Sequence, residues 1–443
     1  MARFPLRVDG AVYAAILSLA VPMVLSNLSV PLLGLVDTAV IGHLSDASYL
    51  AGVALGSMVF TTIVWLLGFL RMATTGVVAQ LYGEGDSHGL AAALYRSLLL
   101  TLLLGALALS LQGPLYRLVL WLAQPSAAVA GHFGDYLGIR VLSLPAALCN
   151  LVLIGWLLGV QDARSPMWLL LIANSLNIGL DLVLVVWLEQ GVEGAALASV
   201  IADYTALFVG LRFARRRLRR LSDRSRPGLG AILDPVQSLR LLRLNTDIFI
   251  RSLCLQLCFS FLTVQGARLG DEFVAANAVL LNFLMFIAYG LDGVAYAVEA
   301  LVGKHIGRGD RVALRATVNA ALLMAGVMGV VASVLFGLGG HGMIALLTDI
   351  ESVRENAARY LPWLLLLPLT AVWCFVMDGV FIGSTRTAEM RNSMLFSTFA
   401  VFFPTYVMAS GLGNHALWLA MNAFMLARGL SLIWMYLSRP PRL

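Results

Sequence analysis

Asp37, Asn177, Asp181 and Ser199 place two carboxylates, an amide and a hydroxyl inside otherwise apolar tracts of this 443-residue chain. An ionised carboxylate in a low-dielectric interior is costly, so it takes up a proton, coordinates a cation or pairs with a base. No base lies near them at the same depth. Asn177 and Asp181 are four residues apart, which sets them on one face of a helix. Two neighbouring acids resist ionising together, and with amide and hydroxyl oxygens beside them the set can hold a proton or a sodium ion. This is the chemistry of ion coupling. Na⁺ at Asp37, Asn177 and Asp181 is the one metal reading, and no cofactor is implied. The plainer alternative makes Asp37 and Asp181 span-end residues at the membrane interface. Four polar groups at one depth favour coupling.

The elements that must position these residues are membrane spans. The chain is 60% hydrophobic and 12% charged, with mean hydropathy +0.87. That leaves too little polar surface to coat a soluble globule. Apolar tracts long enough to cross a bilayer recur throughout. They predict twelve transmembrane helices near 11–41, 50–80, 90–112, 136–159, 166–187 and 194–213, then 243–269, 273–303, 312–338, 360–383, 394–410 and 415–437. The domain organisation expected is an N-terminal lobe, 1–213, an arginine-rich cytoplasmic linker, 214–240, and a C-terminal lobe, 241–443. The first tract is too long for a signal sequence and reads as an uncleaved span. On this topology Asp37 lies about one turn before the outer end of the first span, Asp181 about two turns before that of the fifth, and Ser199 one to two turns into the sixth.

Charge fixes the expected orientation. Lys and Arg crowd one side, with eight arginines between Arg212 and Arg226, whereas the other side holds Arg117, Arg140, Arg268, Arg354 and Arg359. The positive-inside rule then puts both termini in the cytoplasm. The same juxtamembrane arginines account for the basic balance without nucleic acid. Cys149, Cys254, Cys258 and Cys374 lie in apolar tracts and read as small core residues.

The halves align at a constant offset of 224, pairing Gly42 with Gly266, Tyr136 with Tyr360, Gly159 with Gly383, and Gly83-Glu84-Gly85-Asp86 with Gly307-Arg308-Gly309-Asp310. Six spans per half is even, so the repeats are parallel, with a cleft expected between two lobes. At this offset Asp37 falls on Phe261 and Asp181 on Thr405, so coupling is expected in the first lobe alone. The second lobe has its own polar set, Asp247, Arg251, Asp292, Glu299, Asp378 and Arg386. It reads first as an inner ion-pair network or gate, with Asp292 the deepest and best placed to touch ion or cargo. Pro22, inside the first span, removes a backbone hydrogen bond and lets that helix bend. Met23, Met58, Phe60, Phe283, Met285, Phe286 and Tyr289 could line a pocket, although core or lipid contact is the stronger reading.

Several classes fall away. No Gly-x-x-x-x-Gly-Lys-Ser/Thr loop is present for ATP-driven pumping, and no His-Glu-x-x-His or Cys-x-x-Cys motif for an intramembrane enzyme. A flippase of lipid-linked precursors shares the two-lobe plan but needs a cationic cavity, whereas the deep residues here are acidic.

Pro31-Leu-Leu-Gly-Leu-Val-Asp37-Thr-Ala-Val-Ile-Gly-His43, Gly155-Trp-Leu-Leu-Gly-Val-Gln161, Asp378-Gly-Val-Phe-Ile-Gly-Ser-Thr-Arg386 and Gly413-Asn-His-Ala-Leu-Trp418 together resemble the DinF branch of the MATE (multidrug and toxic compound extrusion) transporters. The resemblance covers nearly the whole chain. It implies an all-α membrane protein of two six-helix lobes in a V-shaped arrangement, working by alternating access in a bacterial cytoplasmic membrane. It also implies export of varied, often cationic, small organic compounds in exchange for inward H⁺ or Na⁺, by a monomer. The family's ion site maps onto Asp37, Asn177, Asp181 and Ser199, where threonine is frequent at the last, and its bending proline maps onto Pro22. The mechanism expected is protonation of Asp37, bending of the first span near Pro22 and outward release of cargo.

Overall fold

The computed structural model describes residues 10–42, 47–221 and 227–441, and among them there is no strand. With no water in the hydrocarbon to satisfy backbone N–H and C=O groups, a chain this apolar closes its hydrogen bonds within helices. The first repeat contains α1 (Gly10–Gly42), α2 (Ala47–Leu66, resumed after one turn as Phe69–Glu84) and α3 (Ser87–Ser110). It continues with α4 (Ala127–Gly159), α5 (Arg164–Trp187) and α6 (Gly191–Leu221). The second contains α7 (Pro235–Leu269), α8 (Asp271–Gly307), α9 (Arg311–Leu347) and α10 (Glu351–Gly383). It ends with α11 (Thr387–Phe396, a π-helical turn Ser397–Phe402, then Phe403–Met408) and α12 (Asn414–Ser438).

Eleven helices among the described residues are long and apolar enough to cross a membrane. The twelfth expected span is α11, whose first part carries Glu389, Arg391 and Asn392 and is too polar for the whole to count. Helix ends also pass beyond the apolar tracts. α6 runs on through Arg212 to Leu221, with Arg219 and Arg220 in its last turn, where cations offset the negative end of the helix dipole. Hydropathy drops there while the helix continues. Arg3, Arg7, His43, Arg224 and Arg226 lie outside the described residues.

The repeat is written into the packing. Asp86 Oδ1 accepts from Gly89 N at 2.8 Å to cap α3, and Asp310 Oδ1 accepts from Ala313 N at 2.9 Å to cap α9. The preceding glycines take the same left-handed turn, Gly85 at φ 77° and Gly309 at φ 69°. A Cβ on Gly155 would stand 2.5 Å from Arg71 O, and one on Gly379 would stand 2.6 Å from Ala295 O. Each pair maps onto the other at the offset of 224, so in both halves the fourth helix crosses the second with backbones in contact.

The chain divides into two compact units, Leu25–Leu241 and a second formed by the stretches before Val24 and after Leu242. The early part of α1 therefore packs with the second repeat. Gly293 of α8 makes room for it, since a Cβ there would lie 2.4 Å from Val24 Cγ2 and 3.0 Å from Ala20 O. The core of the second unit gathers α7 to α12 around Trp418, Phe402, Phe424 and Leu364.

Candidate functional site

Within the first unit, α5 presents Asn177 and Asp181 one turn apart, each 3% exposed. Asn177 Nδ2 donates to Ser199 Oγ of α6 at 3.2 Å. Its Oδ1 is buried and accepts no hydrogen bond among the described residues. Buried amide oxygens are normally satisfied, so this one is a ready acceptor for a proton carrier or a cation. Immediately after Asp181 the helix widens into the π turn Leu182–Trp187, a distortion frequent at functional positions. One turn before Asn177, Asn174 Nδ2 donates to Ser29 Oγ at 2.7 Å, which ties α5 to the later part of α1.

α1 carries Asp37, whose side chain lies outside what the structure describes. Its place in the helix is about 8 Å along the axis from Gly42, while Ser199 is about 12 Å from Gly191. Helix alternation puts those ends, and the Trp187 end of α5, on one side of the unit. The buried Asn177 and Asp181 and the half-buried Ser199 thus form an amide–carboxylate–hydroxyl group at the level of Asp37 on the helix ladder.

The second unit is different chemistry at the equivalent place. Phe261, which occupies the position of Asp37, meets Phe402, Phe403 and Tyr406 edge-on, with ring centroids 5.8, 5.2 and 4.9 Å away. The counterpart of the polar set is an aromatic cluster.

α1 runs as continuous helix through Pro22. Pro22 has no N–H to give the preceding turn, and its neighbours Ala20 and Val24 are those that rest against Gly293. Asp292 is the residue beside that glycine and is half-buried. Met23 is buried, whereas Met58, Met285 and Phe286 are exposed.

The other polar residues of the second repeat separate into distinct groups. Asp378 of α10 is paired through Oδ2 with both Arg251 of α7 and Arg428 of α12, and all three are less than 9% exposed. Asp247 pairs instead with Arg391 at 2.6 Å and accepts from Thr387 Oγ1 at 2.9 Å. Arg386 pairs with Glu389 in its own helix and lies 4.9 Å over the Phe381 ring. Glu299 is buried where α8 meets Gly383, its carbonyl oxygen 2.4 Å from where a Cβ on that glycine would be. Among the described residues, the ion pairs of the set expected from sequence fall into three local groupings.

Sequence reasoning overlooked Arg428, although an arginine inside an apolar span is itself a signal. It also overlooked a buried amide pair. Asn277 and Asn414 exchange Nδ2–Oδ1 hydrogen bonds at 2.8 and 2.9 Å, and Trp418 Nε1 donates to Asn277 Oδ1 at 2.8 Å. Arg140, which the charge count assigned to the outer side, lies well inside α4 and pairs with Asp203 of α6 at 2.6 Å.

The MatE family model matches twice, over residues 22–183 and 248–408. DNA damage-inducible protein F of Escherichia coli is 49% identical over 95% of this chain and 91% of its own length. A probable multidrug resistance protein NorM of Deinococcus radiodurans is 27% identical over 96% of this chain and 95% of its own. Solved structures of MATE in bent and straight conformations superpose with TM-scores of 0.85 and 0.84 at 20% and 21% identity, covering 96% of this chain and 95% of theirs.

Proposed function

Because this chain belongs to the MatE family, the multidrug and toxic compound extrusion transporters, we propose that it is a secondary antiporter exporting amphipathic, often cationic, organic compounds in exchange for protons. The observation that carries the reading is the Asn177–Asp181–Ser199 group in the first unit, its amide and carboxylate buried, set against the aromatic cluster at the equivalent place in the second. Related chains named for multidrug resistance support the cargo class.

Coupling runs through Asp37. Taking up a proton removes its charge, so the later part of α1 no longer has to hold an ion beside Asp181 and Asn177. α1 then bends near Pro22, where one backbone hydrogen bond is already missing. Homologous structures in bent and straight forms support such a motion. Return of the proton to the cytoplasm resets the site. Protons are preferred to sodium because the set offers a carboxylate pair and few further oxygens. On this reading the chain sits in a bacterial cytoplasmic membrane with both termini inside, an orientation its arginine distribution supports.

The test is cargo-induced ion release from proteoliposomes under separate pH and sodium gradients. Proton release independent of sodium is expected for the unsubstituted protein, with loss of release in Asp37→Asn. Full proton-coupled efflux by Asp37→Asn would overturn the assignment.

A further inference from the structure

A second polar station lies one helical turn deeper in the first unit. Ser199 and Asp203 are four residues apart on α6, and Tyr136 and Arg140 are four apart on α4, so each pair shares a helix face. Asp203 lies at the middle of the apolar tract 194–213 of α6, and Arg140, paired with it, shares that level.

At that depth Arg140 Nη1 donates to Asp203 Oδ2 at 2.6 Å and to Ser143 Oγ. The guanidinium carbon lies 3.7 Å from the centroid of the Phe60 ring. One side of each charged group is thereby used. The other side is not: among the described residues, Asp203 Oδ1 and Arg140 Nε and Nη2 take part in no hydrogen bond. The side chains keep 14% and 23% of their surface open, Arg140 and Asp203 respectively.

Structural stabilisation does not account for this arrangement. An ion pair removed from water gains little over apolar packing of the same volume. Lipid contact does not account for it either, because charged groups at mid-depth face protein interior or water-filled space. What the pair presents is an open carboxylate oxygen beside two open guanidinium donors, backed by an aromatic ring. A lone cation would use only half of it. A molecule bearing both an ammonium and a carboxylate uses all of it, since the planar guanidinium donors match a carboxylate and Asp203 Oδ1 accepts from an ammonium.

We infer that Arg140 and Asp203 form a cargo-contact site for the polar head of zwitterionic amphiphiles, with Phe60 holding the guanidinium in place. The inference rests on the transporter reading and is independent of the coupling ion.

Binding of two dyes to the full-length protein in nanodiscs tests it, read by fluorescence polarisation: a rhodamine with a free carboxylate and the ethyl ester of the same dye. Arg140→Gln should weaken the carboxylate dye about tenfold or more and leave the ester within about twofold. Asp203→Asn should weaken both. If Arg140→Gln accumulates poorly, Arg140→Lys keeps the charge without the planar fork and should give a smaller loss confined to the carboxylate dye. Equal effects of Arg140→Gln on the two dyes, or none, overturn the site. Binding of neither dye by the unsubstituted protein overturns it too. In that case continued efflux of the ester from cells leaves the transporter reading standing, and absence of efflux removes both.

Discussion

Asn177 Nδ2 and Ser199 Oγ meet at 3.2 Å, joining α5 to α6 one turn from Asp181. The bond spends one amide donor of Asn177 and leaves its buried oxygen open. Ser199→Ala would strip a buried donor of its acceptor, at about 1–3 kcal/mol. Efflux and thermal stability should both fall, whereas Ser199→Thr, which keeps the hydroxyl, should retain both. Wild-type behaviour of Ser199→Ala would separate this hydroxyl from the site.

The Asp378 carboxylate answers two buried guanidinium groups, Arg251 and Arg428. Asp378→Asn leaves both cations without their counter-charge, a loss of about 3–5 kcal/mol. A clear drop in the melting temperature of the purified protein is expected. An unchanged melting curve would mean that the triad does not hold the second unit together.

Gly293 is where α1 rests on α8, and added bulk there meets Val24 Cγ2 first, then the Ala20 carbonyl. Gly293→Ala should therefore reduce efflux. The double variant Gly293→Ala, Val24→Ala removes the nearer clash and should recover a substantial part of the activity. Cellular dye efflux reads both, and normal efflux by Gly293→Ala alone would show the close approach to be dispensable.

Gly155 and Gly379 occupy equivalent crossings, where an added Cβ would lie 2.5 and 2.6 Å from backbone oxygens that cannot swing aside. Gly155→Ala and Gly379→Ala should each destabilise by about 1–3 kcal/mol, and by similar amounts. Thermal denaturation of the two variants checks this, and a marked inequality would break the equivalence of the crossings.

The architecture was legible because apolar length is a one-dimensional signal, and eleven helices among the described residues carry it. α11 escaped that measure because Glu389, Arg391 and Asn392 at its start dilute its apolar run. The level shared by Asn177, Asp181 and Ser199 was legible too, since depth follows from helix rise and topology. Partnership was not. Arg251 and Asp378 are 127 positions apart, and nothing in either neighbourhood specifies that Arg428, rather than Arg386, completes the group. Arg140 was counted with the outer charges because hydropathy cannot register an arginine whose cost is offset by a partner sixty-three residues on.

The matching glycine crossings also bear on how such a chain is inherited. A duplicated ancestor supplies two copies of the same chassis, in which Gly155 and Gly379 still fix the same contact. With the framework secured twice, mutation can trade a carboxylate for a phenyl ring at one copy, as at Asp37 and Phe261, without unmaking the fold. Chimeras that exchange the fifth helices of the two repeats would inherit a working scaffold and a displaced chemistry.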